Sequence, residues 1–231
     1  MSPYKRYQRK SIFGKLSNLS VVGYLILVNV VVSILAFVVF YLGYIDYLAL
    51  KPTNIAQGKF LWTLITHMFV HGGFFHLFIN MFVLYSLGSL SERIIGRKRF
   101  FWFYLISGIF AGILATIVPL FYGNSELGAR IFGSPDVFMV GASGAIFAIA
   151  GLFVMLLPRL RFMIIFLPFF SLPAYIMVPL VLLATWVATI AGDFPIGNVA
   201  HAGGFIAGIL YGYYLRIKYA KKVKMLQRMF K

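Results

Sequence analysis

The placement of charge constrains this chain more than any other feature. Of its 21 Lys and Arg, 18 fall in residues 1–20, 92–99, 158–162 and 216–231, which hold 5, 4, 2 and 7 of them. Long apolar runs lie between. The chain is 61% hydrophobic and only 11% charged, where soluble domains carry about 25% charged residues, so the runs specify membrane-spanning segments. They predict six helices, over 21–41, 74–91, 100–122, 143–157, 174–191 and 201–215. The expected class is an all-α membrane protein, a six-transmembrane-helix bundle with a long first outer loop at 42–73. The first run is too long and uninterrupted for a signal peptide and no small-residue cleavage site follows it, so it is expected to remain as an anchor.

With the N-terminus inside, the four basic segments all face inward. Only Lys51, Lys59 and Arg130 then lie outside, with Asp46, Glu126, Asp136 and Asp193. The bias of Lys and Arg toward the inner side selects this topology. Residues 1–20 and 219–231 are expected as basic cytoplasmic segments flanking a core at 21–218. The second of them is expected to lie against anionic lipid, so the net charge of +16 requires no nucleic acid. The chain has no cysteine, which excludes disulfides, thiol catalysis, Cys-ligated zinc and c-type haem. No internal repeat or domain boundary is apparent.

Three polar residues stand at one depth in this apolar frame. His76 lies 16 residues before Glu92, Ser143 16 before Arg159, and His201 15 before Arg216. At about 1.5 Å rise per residue, all three stand about 23 Å above the inner exit of their helices. All three helices run from outside to inside, so the three side chains share the outer leaflet. Polar groups at such a level are costly and point to function.

The connections carry further hints. Residues 61–69, with Trp62, Met68 and Phe69, are apolar enough to lie in the interface. The fourth helix, starting at Ser143, covers about 22 Å of a roughly 30 Å core. The backbone before it must therefore enter the membrane without being helical, which is tolerated only inside protein or beside a water-filled cavity. Pro168 and Pro173 argue against a straight helix through 163–173.

Each polar site also has a bland reading. Ser143, within Gly141-Ala142-Ser143-Gly144, is equally an N-cap serine in a packing motif. His76 and Asn80, four apart on one face, would serve as an interhelical clamp. His201 would merely begin a helix. These readings do not explain the shared depth. Gly204, Gly208 and Gly212 form a small-residue stripe, and packing it along Ala148 and Gly151 would bring His201 toward Ser143. A serine, an imidazole and spare donors are the minimum for acyl transfer. The only acids nearby in sequence, Asp136 and Asp193, lie seven and eight residues before the serine and the histidine in outer loops. A dyad is expected rather than a triad, and spacing leaves open which histidine is the base.

These residues resemble those of the rhomboid intramembrane serine proteases over about 20–218. The likeness rests on His71-Gly72-Gly73-Phe74-Phe75-His76-Leu77-Phe78-Ile79-Asn80-Met81, on Glu92 with Gly96, on Gly141-Ala142-Ser143-Gly144, and on His201-Ala202-Gly203-Gly204 with Gly208. It implies Ser143 as nucleophile, His201 as base, and an oxyanion hole of His76, Asn80 and the Ser143 amide. His71, Gly141, Gly144, Phe147, Gly204 and Gly208 would support the site. The implied activity is hydrolysis of a peptide bond in or near the outer end of transmembrane segments, without metal or cofactor. The implied partners are transmembrane protein substrates and membrane lipids. The implied location is the plasma membrane of a prokaryote, termini cytoplasmic and site opening outward. A membrane substrate would enter past the fifth helix, which is flanked by Pro173 and Gly192.

Two positions depart from the family's habit. Trp62 is followed by Thr63 rather than arginine, and Phe147 stands where many members carry tyrosine four residues after the serine. Three alternatives compete. A zinc hydrolase using His67, His71, His76 and His201 lacks H-E-x-x-H and has few carboxylates. A transporter or channel needs ionisable residues along a path, and no acid lies within a predicted span. A non-catalytic rhomboid-like protein that binds transmembrane helices would not need both Ser143 and His201.

Overall fold

The structure, a computed structural model, describes residues 19–164, 167–192, 194 and 196–230. Most of the basic segment expected at 1–20, and Asp193, lie outside the described residues. The long helices are α1 (Val21–Tyr41), α2 (Phe74–Ile95), α3 (Arg97–Tyr122), α4 (Ser143–Leu156), α5 (Ala174–Gly192), α6 (Asn198–Lys218) and α7 (Ala220–Met229). Short helices punctuate the connections at Pro52–Ala56, Thr63–Thr66 and Glu126–Phe132. Among the described residues, four helices, α1, α2, α3 and α5, are long and apolar enough to cross a membrane. The protein is therefore an integral membrane protein and mostly helical.

One local feature goes beyond the sequence expectation and two differ from it. After α4 the chain forms an antiparallel hairpin of β1 (Arg161–Ile164) and β2 (Leu167–Pro173). Pro168 and Pro173 forbid a helix there, and strand pairing satisfies the backbone instead. The helices also run past their charges. Glu92, Arg93 and Arg97 are all helical, and Gly96, at φ +86°, makes the break between α2 and α3. Helix α6 starts a turn early at Asn198, so His201 sits within its first turn rather than at its end.

Helix α4 is the centre of the bundle, buried along nearly its whole length. Its short span is possible because protein, not lipid, surrounds it. Glycines set the approach of α6. A side-chain carbon on Gly204 would fall 1.8 Å from the Gly144 carbonyl oxygen, and one on Gly208 would fall 2.0 Å from that of Ala148. Backbone lies on backbone at both points, so no larger residue fits. On α3, Gly108 and Gly112 receive Met68 and the ring of His67 from the connection between α1 and α2. Helix α5 is peripheral: its buried residues are Ala174, Met177, Val178 and Leu182, all in its first half.

Glu92 ties the basic end together. Its buried carboxylate accepts the Val21 and Val22 amides at 3.0 and 2.9 Å, capping α1, and Arg97 approaches it at 3.6 Å. Ser20 accepts the Gly23 amide at the same terminus. Three of the orphan donors of α1 are thereby satisfied. Helix α7 closes this end by packing Val223 and Leu226 on the core, and Gln227 donates to the Leu156 carbonyl.

Candidate active site

The chain before Ser143 is extended and held by the connection between α1 and α2. Leu50 and Met139 exchange two backbone hydrogen bonds of 3.0 and 2.7 Å. The Gly141 amide donates to the His67 carbonyl at 2.9 Å, and the Ala142 amide meets His71 Nε2 at 3.4 Å. This is the non-helical entry that the short α4 demands, and its amides are paired inside protein. Gly141 takes φ +126°, a conformation open to glycine and strained for other residues.

His71 is fully buried, and its hydrogen bonds define its tautomer. Nε2 accepts from Ala142, so Nδ1 carries the proton and donates to Ser33 Oγ at 3.0 Å, while the Ser33 hydroxyl donates to the Phe69 carbonyl at 3.2 Å. Only neutral imidazole can do this. Burial, reinforced by nearby His76, lowers the His71 pKa to about 3. His67 is similarly kept neutral, lowered by burial to about 4, with Nδ1–H donating to the Thr63 carbonyl at 2.7 Å. The Thr63 hydroxyl in turn donates to the Phe60 carbonyl at 2.7 Å, and Trp62 Nε1 donates to the Tyr47 carbonyl at 2.9 Å. The connection is thus fastened without an arginine after Trp62.

Ser143 opens α4, and its Oγ lies 2.8 Å from His201 Nε2. The first helical bond runs from the Ile146 amide to the Ala142 carbonyl. The amides of Ser143, Gly144 and Ala145 precede that ladder and present the positive end of the helix. Phe147, one turn on, stacks on the His201 ring with centroids 4.5 Å apart and planes 27° apart. This contact needs a ring but no phenol hydroxyl. His201 Nδ1 is buried with no hydrogen-bond partner among the described residues. Asp136 is elsewhere, 3.7 Å from Lys51.

His76 faces Ser143 across Gly141. A side-chain carbon built on Gly141 would lie 3.0 Å from His76 Nε2 and 3.7 Å from Ser143 Oγ. Only glycine therefore lets the His76 ring close on this backbone beside Ser143. Asn80 is buried one turn below, and its amide nitrogen donates to the His76 carbonyl at 2.9 Å. One of its two amide protons is therefore committed to the backbone. The structure thus joins Ser143 and Phe147 to His201 and places His76 on the other side of Gly141. Gly144, Gly204 and Gly208 lie at the α4–α6 contact. Among the described residues, no three His, Asp or Glu side chains gather as a metal cage.

Sequence reasoning missed Ser33, His67 and Glu92 as supports. A signal for the first existed: Ser33 and Asn29 are polar, four apart, and both buried on one face of an apolar helix. No local pattern marks Glu92 as a cap for amides 70 residues earlier.

The model of the rhomboid domain family matches residues 58–218. RHOMBOID-like protein 4 of Arabidopsis thaliana is 33% identical over 170 residues, covering 73% of this chain and 38% of that protein. Rhomboid protein 1, mitochondrial, of Saccharomyces cerevisiae is 29% identical over 157 residues, 66% of this chain and 41% of that protein. Presenilin-associated rhomboid-like protein, mitochondrial, of Homo sapiens is 29% identical over 143 residues, 62% of this chain and 35% of that protein. The chain spans less than half the length of these curated relatives.

Proposed function

This chain belongs to the rhomboid family, and on that premise we propose that it is an intramembrane serine endopeptidase. The observation that carries the proposal is the 2.8 Å contact of Ser143 Oγ with His201 Nε2 at a helix N-terminus. In the proposed reaction the Ser143 oxygen attacks a substrate carbonyl as its proton passes to Nε2 of His201. The oxyanion develops beside Gly141, between Ser143 and His76, where the Ser143 amide, His76 and the remaining Asn80 proton act as donors. His201 then protonates the leaving amine. A water molecule, deprotonated by the same imidazole, hydrolyses the acyl-enzyme and returns Ser143. Stacking on Phe147 keeps the base in plane, and no acid takes part.

The proposed architecture is six spans, α1 to α6, in a core at 21–218. Its termini would lie on the basic side, with the site in the opposite leaflet. The relatives whose names state a compartment are mitochondrial, which does not fit the prokaryotic plasma membrane expected above. The proposal is therefore limited to the orientation. Substrates are transmembrane proteins. A stable helix hides its carbonyls in its own hydrogen bonds, so cleavage falls near the outer end of a single span, where small or helix-breaking residues let it unwind. Entry past α5 is supported by the exposure of its second half.

The test is cleavage of a single-span substrate in proteoliposomes. Ser143→Ala and His201→Ala should each abolish cleavage while retaining the wild-type melting profile. His76→Ala and Asn80→Ala should each lower turnover, by up to about 10²–10³-fold for a lost donor. Substantial cleavage by purified Ser143→Ala protein refutes the proposal and leaves a helix-binding role.

A further inference from the structure

A second site lies at the opposite end of the bundle. A groove of about 570 Å³ runs between α3 and α6, within the range of about 300–1,000 Å³ typical of small-molecule sites. Lys98 and Arg99 stand at its basic end, Trp102 and Phe110 line its α3 wall, and Ala207 and Tyr211 line its α6 wall. From Arg99 to Phe110 the α3 wall spans about 17 Å. That matches the depth of one leaflet, half of a roughly 30 Å core.

The charges at the mouth are unbalanced. The Arg99 guanidinium lies 5.4 Å over the ring of Tyr219 and donates to its hydroxyl at 3.3 Å. Lys218 and Lys222 approach the same ring at 5.8 and 5.9 Å. Among the described residues the ion pairs are Lys51–Asp136, Arg97–Glu92 and Arg130–Glu126. Lys98, Arg99, Lys218 and Lys222 thus gather with no carboxylate to neutralise them. The first turn of α3 contains no acid either, and the helix dipole adds positive potential there. Like charges held together without a counter-charge are unfavourable unless an anion joins them. Basic pockets between membrane helices are suited to anionic headgroups.

We propose that this groove seats one anionic phospholipid of the leaflet on the basic side. Its phosphate lies among Lys98, Arg99 and the cations around Tyr219, and one acyl chain lies between α3 and α6. The cations set the headgroup, and the apolar walls set the chain. The lipid lies along the stacked rings of Phe103 and Tyr211, 4.8 Å apart, and reinforces the link between the two helices at the end of α6 remote from His201. The site is independent of the proposed hydrolysis.

The experiment is lipid retention by native mass spectrometry, with melting temperature in nanodiscs of phosphatidylglycerol or phosphatidylcholine. The full chain should retain one phosphatidylglycerol and melt higher in it than in phosphatidylcholine. Lys98→Gln with Arg99→Gln should reduce the preference about fivefold per lost cation, roughly 25-fold together. Lys221→Gln with Lys224→Gln removes as much charge outside the groove and should leave the preference intact. Ala207→Trp fills the apolar walls without touching a charge and should abolish retention even if the charge variant does not fold. Equal retention of both lipids, equal losses in the two double variants, or retention by Ala207→Trp overturns the proposal. So does an equal rise in melting temperature from inorganic phosphate alone.

Discussion

Substituting alanine for Gly204 isolates the contact that brings the base to the nucleophile. The added carbon would sit 1.8 Å from the Gly144 carbonyl oxygen. Real contacts of this kind are essentially never shorter than 3.0 Å. The two helices must therefore part by the difference, 3.0 − 1.8, or about 1.2 Å. Both are rigid, and the obstacle is backbone, so no side-chain rotation absorbs the clash. His201 lies one turn before Gly204 on the same helix, and Ser143 adjoins Gly144. The separation passes almost directly into the Ser143–His201 contact, stretching it from 2.8 Å to about 4 Å. At that distance the hydrogen bond is gone. A displacement of about 1 Å in a catalytic group costs about 10²-fold in rate, and overpacking costs about 1–3 kcal/mol in stability. Gly212→Ala is the control. It lies on the same stripe, two turns farther from His201, and its added carbon would meet Met155 Cβ at 2.6 Å, a shortfall of only about 0.4 Å from the 3.0 Å limit. Turnover of a transmembrane substrate in proteoliposomes, with melting temperature in detergent, reads both terms. Gly204→Ala should lose at least 10²-fold in kcat, and Gly212→Ala less than tenfold. Wild-type turnover in Gly204→Ala would refute the reasoning.

Other perturbations probe other parts of the account. Gly141→Ala should push the His76 ring away from Ser143, since the added carbon falls 2.9 Å from that ring, and reduce turnover about 10²–10³-fold; Gly133→Ala, at φ +88° with only an ordinary 3.9 Å contact to Pro119, imposes similar backbone strain and should leave turnover unchanged. Glu92→Ala strips two buried amides of a carboxylate partner and should cost about 3 kcal/mol, a fall of about 6–12 °C in melting temperature, while Glu92→Gln keeps one acceptor and should cost about a third as much. Stability should also decline in acid. His67 and His71 stay neutral in the fold to about pH 4 and 3, whereas the unfolded chain takes up these protons below about 6.5. Each group therefore removes up to about 1.4 kcal/mol per pH unit as pH falls from 6.5 toward 4, and His67→Gln should lose one group's share of that slope. A flat melting profile over this range would contradict the buried neutral assignment.

The helices were legible because a membrane leaves the backbone few options, and apolar runs between basic clusters report that directly. The glycine stripe was legible for a similar reason. Gly204 and Gly208 repeat every four residues, and such a face lets another backbone approach closely. Other features depend on tertiary distance. Glu92 was read as a helix exit because it is charged, but its function in the fold is to receive the amides of Val21 and Val22. The Asn80 amide bonded to His76 is invisible to spacing, since residues four apart satisfy a clamp, an oxyanion donor and a backbone tether equally. The strands at Arg161–Ile164 and Leu167–Pro173 were reached only negatively. Proline excludes a helix without naming its replacement.

The central claim is that Ser143 is a nucleophile activated by His201. Labelling with a fluorophosphonate, followed by intact mass and peptide mapping, tests it without any knowledge of the substrate. The wild-type protein should carry a single adduct on Ser143, Ser143→Ala none, and His201→Ala should label at least about 10²-fold more slowly, as general-base loss requires. An adduct that persists in Ser143→Ala, or wild-type labelling rates in His201→Ala, would contradict the claim.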